Sequence, residues 1–269
     1  MMAKVRSGWP TLALAGVGLL FLLPLVWLLL SAFDANASWT LAWPTWTLGN
    51  FRAVSNSSDL LALWNSLLLA VITAVVATVP SLFGAYALAR RRIPMRDEAM
   101  VGVLFLTAVP IAIVVIPMYE VLATLNWLSL APAGLFLGIT NMPFALWLIR
   151  ASIAAVPLEL EEAARMEQGS TVQILFRVTL PLAMPGVIAA AFFSFSAGWS
   201  AFLVPLVVVS AASQATGPLA LFGFIHAGVI QYGQIAAYSI LYSLPIVVLY
   251  GAVSRSVSGG FAMGGAVKG

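Results

Sequence analysis

The stretch LELEEAARMEQGS, residues 158–170, places a short acidic segment between two long hydrophobic ones. Its charged side chains are Glu159, Glu161, Glu162, Arg165 and Glu167. The flanking runs 128–149 and 178–254 contain no Asp, Glu, Lys or Arg. This contrast indicates a membrane protein with one charged segment between two of its hydrophobic ones, and the rest of the chain supports that interpretation.

The whole composition is that of a polytopic membrane protein. Hydrophobic residues make up 62% of the chain and charged residues 8%, against about 25% charged residues in a soluble domain. Further charge-free runs lie at 7–33, 60–89 and 99–119, and about 20 apolar residues cross a bilayer as a helix. Because backbone hydrogen bonds must be satisfied inside the chain in lipid, these runs predict an all-α integral membrane protein.

The runs predict six transmembrane helices, at 11–33, 62–89, 99–122, 132–154, 180–209 and 234–254. The first run exceeds the apolar region of about 7–15 residues in a signal peptide, so it is predicted to be an uncleaved span. The apolar segment 218–230 is too short to cross and is predicted to be interfacial or re-entrant. Of the 12 Lys and Arg residues, only Arg52 lies on the opposite side from the others, which predicts that both termini are cytoplasmic.

The residue inventory disfavours two other classes of membrane protein. A membrane enzyme needs a clustered acid, base, nucleophile or metal set, but the chain has no cysteine and one histidine. An ion-coupled secondary transporter places ionisable residues within its spans, and only Glu120 and His226 are candidates here. The chain also lacks a G-x-x-x-x-G-K-[ST] phosphate loop, so it is not its own ATP-driven motor.

Local signals in the acidic segment predict a helix, a turn and a second short helix. Pro157 suits the first helical position, and the acids that follow are favoured by the helix dipole. Glu161 and Arg165 are four residues apart and are predicted to pair. Gly169 ends the helix, and a capping box of Ser170 and a glutamine three residues later starts the next one, which leads to Leu180-Pro181.

Two interpretations of this segment remain open from the residues alone. It is either an amphipathic connector with a solvated acidic face or a docking helix for a cytosolic protein. Acids are repelled by anionic headgroups, and Ala163-Ala164 beside them suits close contact with another protein.

The segment EEAARMEQGSTVQILFRVTLPLAMPG, 161–186, resembles the EAA loop of permease subunits in bacterial ATP-binding-cassette (ABC) importers. Glu162-Ala163-Ala164 matches the Glu-Ala-Ala signature, and Leu180-Pro181 and Pro185 follow at the expected spacing. The segments 65–90, 116–135 and 142–164 also resemble these permeases, and the tail GGAVKG resembles that of maltose-type permeases of the MalG kind. Two departures are Glu167-Gln168-Gly169 in place of Asp-Gly-Ala, and Trp199-Ser200-Ala201-Phe202 in place of Trp-Asn-Glu/Asp-Phe.

The resemblance implies a type I ABC importer permease fold with a cytoplasmic EAA coupling helix. Residues 1–59 would form the first helix and an outer loop, 60–254 the transmembrane core, and 255–269 a cytoplasmic tail. The implied partners are a second, MalF-like permease, a dimeric ATP-binding subunit, an extracytoplasmic solute-binding protein and membrane lipid, without nucleic acid. ATP and Mg would be bound by the ATPase partner, so no cofactor, metal or catalytic residue is expected in this non-enzymatic chain.

The implied function is alternating-access import of a mono-, di- or oligosaccharide across the bacterial inner membrane, with glycerol phosphate, polyol or polyamine import as alternatives. The implied ATPase-coupling residues are Glu161, Glu162, Ala163, Ala164, Arg165, Glu167, Gly169, Leu180 and Pro181. Sugar sites combine aromatic faces with hydrogen-bonding groups, so residue type alone makes Asn65, Asn141, Ser196 and Trp199 the candidate substrate residues. Ser66, Ser194, Gln231 and Tyr232 are further candidates of the same kinds.

Overall fold

The computed structural model describes residues 8–226 and 229–265. Its helices are α1 (Gly8–Ala32), α2 (Gly49–Ala53), α3 (Ser57–Arg90), α4 (Arg96–Phe105), α5 (Ile111–Thr124), α6 (Leu130–Ala154), α7 (Leu158–Met166), α8 (Thr171–Ile174), α9 (Leu180–Trp199), α10 (Leu203–Val208), α11 (Gly217–Gly223) and α12 (Tyr232–Gly265). Short 3₁₀ turns lie at Leu106–Ala108 and Ala212–Gln214, and a π-helical turn lies at Leu175–Thr179. The two-residue strands β1 (Ile225–His226) and β2 (Val229–Ile230) pair antiparallel.

Five helical stretches in the described ranges are long and apolar enough to cross a membrane. They are Leu12–Ala32, Ser57–Arg90, Leu130–Ala154, Thr171–Trp199 and Tyr232–Arg255. Each overlaps one of the predicted spans, and the all-α architecture predicted from the sequence is confirmed.

The predicted third span, 99–122, is not one straight helix. The stretches Arg96–Ala108 and Ile111–Thr124 meet at an angle of 83°. The cause is Pro110, which has no N–H to donate and disfavours a helical conformation at the residue before it. Val109 is accordingly extended, with φ −71° and ψ 118°. Counted as one broken span, this pair completes the six predicted spans.

The fifth span and the segments after it also differ from the prediction. The fifth was predicted to end at 209, but α9 ends at Trp199 and the short α10 follows. Segment 218–230 contains only part of α11 and the β1–β2 pair, so none of its elements is long enough to cross. The predicted tail 255–269 is helical as far as Gly265. Its last four residues, and the basic Lys4 and Arg6, lie outside the described residues.

One compact unit is built from the described residues of Met1–Leu60 and Leu221–Leu244. Its outer loop is organised around Asp34, whose Oδ1 accepts hydrogen bonds from the Thr45 hydroxyl at 2.6 Å and from the N–H groups of Thr45 and Asn36. These bonds, the Thr45 hydroxyl first, hold the pKa of Asp34 below its usual value. Asn50 Nδ2 donates to the carbonyls of Ala32 and Asp34. The loop is therefore tied to the end of α1.

The second unit comprises the described residues of Leu61–Ala220 and Pro245–Gly269. Small residues let α3, α6 and α9 approach closely, as in other membrane helix packings. A Cβ added to Gly138 of α6 would lie 2.5 Å from Cβ of Val76 in α3, and one added to Gly198 of α9 would lie 2.8 Å from Cα of Ala70. This tightly packed core carries the acidic segment at one end of its helices.

Candidate functional site

The acidic segment forms the predicted helix. Helix α7 runs from Leu158 to Met166, with Glu159 and Glu161 in its first turn. Pro157 occupies the N-cap position, one residue before the position predicted for it. The carboxylates lie where the exposed N–H groups of a helix favour negative charge.

Glu161 is fully buried, at 0% exposure, and is the only buried side chain of α7. Its Oε1 accepts hydrogen bonds from Arg90 Nε at 2.8 Å and from the Thr179 hydroxyl at 2.7 Å. Its Oε2 accepts a longer bond, 3.3 Å, from the Tyr86 hydroxyl. A buried carboxylate is tolerated when an opposite charge and further donors surround it in this way. We call these four residues the carboxylate cluster.

Arg90 connects the carboxylate cluster to a third helix. It is the last residue of α3, and its side chain is 8% exposed. Its Nη2 donates to the carbonyls of Ile153 at 2.9 Å and Val156 at 2.8 Å, at the C-terminal end of α6. Such terminal carbonyls have no partner within their own helix. One guanidinium therefore pairs with Glu161 and caps α6.

The predicted pairing of Glu161 with Arg165 is wrong. Glu161 turns inward to Arg90, 71 residues earlier in the chain, while Arg165 is exposed. The sequence signal that could have found this pair is an arginine at the very end of an apolar run, four residues after Tyr86 on the same helix face.

The opposite face of α7 is open to solvent. Glu162 and Ala163 are exposed, and Ala164 is half-buried. Arg165 is also exposed, but it lies four residues after Glu161 on the same side of the helix, beside the Tyr86 hydroxyl. Met166 is 85% exposed. Glu167, just after the helix, is exposed as well. The helix thus combines one buried anchor with an acidic face that also carries small and flexible apolar residues, which adapt well to a partner surface.

The turn after α7 explains one departure from the family pattern. Gln168 N–H donates to the carbonyl of Arg165 and Gly169 N–H to that of Ala164, the hydrogen-bond pair of a Schellman motif. Gln168 is the left-handed residue, with φ 60°, and it occupies the position where the family pattern has its glycine. Gly169 is needed for a different reason, because a Cβ there would lie 2.8 Å from the Ala164 carbonyl oxygen.

Gln168→Gly is expected to stabilise this turn by about 1 kcal/mol, because a left-handed conformation costs a residue with a Cβ about that much. Amide hydrogen exchange of residues 165–170 should slow by about fivefold. Gln168→Ala keeps the Cβ and is the matched control, with no slowing expected. Equal protection in the glycine and alanine variants would contradict the explanation.

The second short helix begins where it was predicted and is continuous with the fifth span. The capping box of Ser170 and Gln173 is confirmed, and α8 continues through the π-helical turn into α9, so that Thr171–Trp199 forms one apolar helical stretch. Leu180 is the first residue of α9 and Pro181 follows it. Proline has no N–H to donate to the helical hydrogen-bond ladder. The wider π-helical turn before it accommodates this missing hydrogen bond without ending the helix.

The structure separates the candidate substrate residues. Asn65 is buried and its Nδ2 donates to the carbonyls of Ser213 and Ala215, each at 2.9 Å. Ser196 donates to the carbonyl of Phe192 in its own helix. Trp199 is buried and stacks on Phe195, with ring centroids 5.9 Å apart. These three side chains have structural partners.

The further candidates also divide between packing and surface positions. The buried Ser66 hydroxyl accepts a hydrogen bond from Gly217 N–H at 2.8 Å, and Ser194 is buried within α9. Gln231 and Tyr232 line a small polar pocket of about 190 Å³ together with Asp34. None of these four residues lines the same cavity as Asn141.

Asn141 lines a cleft of about 590 Å³ at the bend between α4 and α5. Thr107 and Thr140 are the other polar residues of its wall, and the rest of the lining is apolar. Asn141 Nδ2 donates to the carbonyl of Leu137. The residue is close to the middle of the 25-residue helix α6, roughly 17 to 20 Å from either end at 1.5 Å per residue. The cleft therefore opens about midway along α6.

A family model described as "Binding-protein-dependent transport system inner membrane component" matches residues 81–259. The matched range contains all four residues of the carboxylate cluster and the whole of α7. The chain belongs to this family. It is a multi-pass inner-membrane permease, as its apolar helices and its resemblance to ABC importer permeases led us to expect.

Two relatives match the permease over nearly its whole length. The diacetylchitobiose uptake system permease protein DasC of Streptomyces coelicolor is 32% identical over 97% of this chain and 97% of its own. The trehalose transport system permease protein SugB of Mycobacterium tuberculosis is 29% identical, with 100% of both chains covered. The chain is therefore similar to permease proteins of uptake and transport systems over nearly its whole length.

A solved structure supports the fold. It is described as the crystal structure of a bacterial ABC transporter involved in the import of the acidic polysaccharide alginate. One of its chains is 19% identical, and the match covers 95% of the permease and 99% of that chain with a TM-score of 0.77. The ABC importer permease fold expected from the sequence is confirmed.

Proposed function

We propose that the permease docks an ATP-hydrolysing subunit on the exposed face of α7. The observation that carries this proposal is the division of two adjacent acids: Glu161 is buried among donors, and Glu162 is exposed. A helix fixed on one side and acidic on the other suits a basic cleft on a partner. A simple connector between spans would need neither the buried anchor nor the exposed Met166.

The docking face lies in the cytoplasm in this proposal, together with both chain termini. Arg90 ends α3 and contacts α7 directly, Arg91 and Arg92 follow it, and Arg96 begins α4. Arg150, near the end of α6, pairs with Asp97 at the start of α4. Positive charge is therefore concentrated at the membrane face that carries α7, which is the cytoplasmic face by the positive-inside rule.

The transport cycle we propose is alternating access in a pair of permeases, with a second, MalF-like subunit beside this chain. ATP and Mg bind to the docked partner, because this sequence has no phosphate loop. Converting a 1:99 population of two states to 99:1 takes about 5.5 kcal/mol, which nucleotide binding at two ATPase sites would supply. An extracytoplasmic binding protein delivers the solute at the opposite face.

The solute we propose is a di- or oligosaccharide. The names of DasC and SugB, a diacetylchitobiose uptake permease and a trehalose transport permease, support a carbohydrate. The cleft beside Asn141 supports a passage at mid-membrane depth, because it combines amide and hydroxyl groups with apolar walls. Import of glycerol phosphate, a polyol or a polyamine is the alternative that the residues leave open.

The deciding experiment is uptake by the full assembly in proteoliposomes, with its cognate binding protein and a panel of chitobiose derivatives, trehalose, maltose, glycerol phosphate, a polyol and a polyamine. We expect ATP-dependent accumulation of a saccharide and ATPase stimulation by the same compound. Uptake of the polyamine alone would exclude the carbohydrate. Uphill uptake by the chain alone under an ion gradient would exclude an ATP-driven permease.

Asn141→Leu is expected to lower saccharide uptake by about tenfold, because an apolar side chain removes a hydrogen-bonding group worth roughly 1–2 kcal/mol from the cleft. Ser196→Ala is the matched control: like Asn141, Ser196 donates to a carbonyl in its own helix, but it does not line the cleft, so its uptake should stay near the wild-type rate. ATPase retention should be equal in both variants. A larger loss for Ser196→Ala than for Asn141→Leu would place the solute elsewhere.

A further inference from the structure

Helix α7 is held in place mainly by a charged group. It is a nine-residue helix between two short connections, and its only buried side chain is Glu161. At 1.5 Å per residue it is about 14 Å long, with much of its surface exposed. Apolar burial therefore contributes little to fixing its position, and the carboxylate cluster must do so.

The carboxylate cluster joins four chain segments at one point. Glu161 belongs to α7, Tyr86 and Arg90 to the end of α3, and Thr179 to the π-helical turn that leads into α9. Arg90 adds the end of α6 through two carbonyls. A displacement of α7 thus acts on three membrane-spanning helices through bonds of 2.7–2.9 Å.

The chemistry of the carboxylate cluster favours one geometry over many. Charge-assisted hydrogen bonds are short and directional, and the planar guanidinium fixes the directions of its donors. An apolar contact at the same place would hold α7 as strongly, since a buried ion pair is not more stabilising than well-packed apolar residues. It would also let α7 slide or rotate against its neighbours. An ion pair is therefore the better choice for transmitting movement.

We propose that the Arg90–Glu161 ion pair is a positioning element that makes α7 and the adjoining ends of α3, α6 and α9 move as one body during the transport cycle. The inference rests on the proposed function, because the displacement of α7 is taken to come from a docked ATPase. It goes beyond the proposed function because it names residues that couple ATP hydrolysis to transport. These residues face away from the ATPase. Breaking the pair should leave docking intact and lose transport.

The test uses the full assembly in proteoliposomes and measures three quantities for each variant: ATPase retained on purification, rate of ATP hydrolysis, and saccharide molecules imported per ATP hydrolysed. Glu161→Gln removes the charge with little change of volume, and Thr179→Val removes one donor. Asp97→Asn is the matched control, because it breaks the exposed Arg150–Asp97 pair, whose carboxylate is 68% exposed.

We expect Glu161→Gln to retain the ATPase at the wild-type level while the number of molecules imported per ATP falls by about tenfold, within the range of coupling between distant sites. Thr179→Val should lower the same ratio by about two- to threefold, and Asp97→Asn should leave it unchanged. If Glu161→Gln does not assemble, the Thr179→Val ratio decides the question.

Two results overturn the proposal. One is an unchanged import-to-hydrolysis ratio in assembled Glu161→Gln or, where that variant does not assemble, in Thr179→Val. The other is an equal loss of this ratio in Asp97→Asn, which would show a general effect of cytoplasmic charge. Failure of the proposed function gives a different result, since the wild-type chain would then not retain an ATPase at all.

Discussion

Glu162→Lys is expected to release the ATPase subunit from the permease while leaving the permease itself folded. Glu162 is exposed on α7 and takes no part in the carboxylate cluster. If α7 docks as proposed, a lysine there removes a favourable charge from the docking face and puts a like charge against the partner's basic cleft. We expect a loss of about 3 kcal/mol in docking free energy, a factor of about 150 in affinity.

The measurement is co-purification of the ATPase with the tagged permease, followed by ATP-dependent uptake. Glu98→Lys makes the same charge change on an exposed residue of α4, outside the docking helix, and should keep both activities. Wild-type retention and uptake in Glu162→Lys would contradict docking on this face. Equal losses in both variants would point to net charge at the membrane surface instead.

Arg90→Ala is expected to have the largest effect on stability of any single substitution considered. It leaves the carboxylate of Glu161 buried without its opposite charge, and it removes the donor to the carbonyls of Ile153 and Val156. Removing one partner of a buried ion pair costs about 3–5 kcal/mol. The free energy of unfolding, measured in detergent with increasing SDS, should fall by that amount.

The control for Arg90→Ala is Asp97→Asn, which breaks an exposed ion pair and should cost less than about 1 kcal/mol. The double variant Arg90→Met with Glu161→Met removes both charges and should recover most of the loss, as apolar replacement of buried ion pairs does. A small effect of Arg90→Ala would mean that Glu161 is not held in place by the arginine.

The number, order and approximate position of the spans follow from the sequence, because charge-free runs of bilayer length have few alternative structures. The helix of the acidic segment, its capping box and the family assignment were predictable for a related reason. Capping and helix-dipole signals are local, and Glu162-Ala163-Ala164 with Leu180-Pro181 forms a specific pattern. The geometry of the turn after α7 was harder to predict from the sequence, because its left-handed residue is Gln168 and not the glycine that follows it.

What the sequence did not reveal are contacts between distant residues. Nothing near Glu161 indicates that its partner is Arg90, and the local rule pointed to Arg165. The break at Pro110 was also missed as a bend of 83°, because proline within a membrane helix often causes only a mild kink. Asn65 and Asn141 are chemically alike, and only their hydrogen bonds and the cleft separate a structural residue from a candidate in the passage.

The 71-residue separation of Arg90 and Glu161 has a consequence for biogenesis. At about 5–20 residues per second, roughly 4 to 14 s pass between synthesis of the arginine and synthesis of the acid. During that interval Arg90 has no Glu161 to pair with, because the chain between the two residues is still being made. The Arg90–Glu161 ion pair can form only after the fourth span and α7 have been made. Closure of the Arg90–Glu161 pair therefore requires that the preceding spans are in place. An ATPase that docks on α7 as proposed would then be recruited to correctly inserted chains.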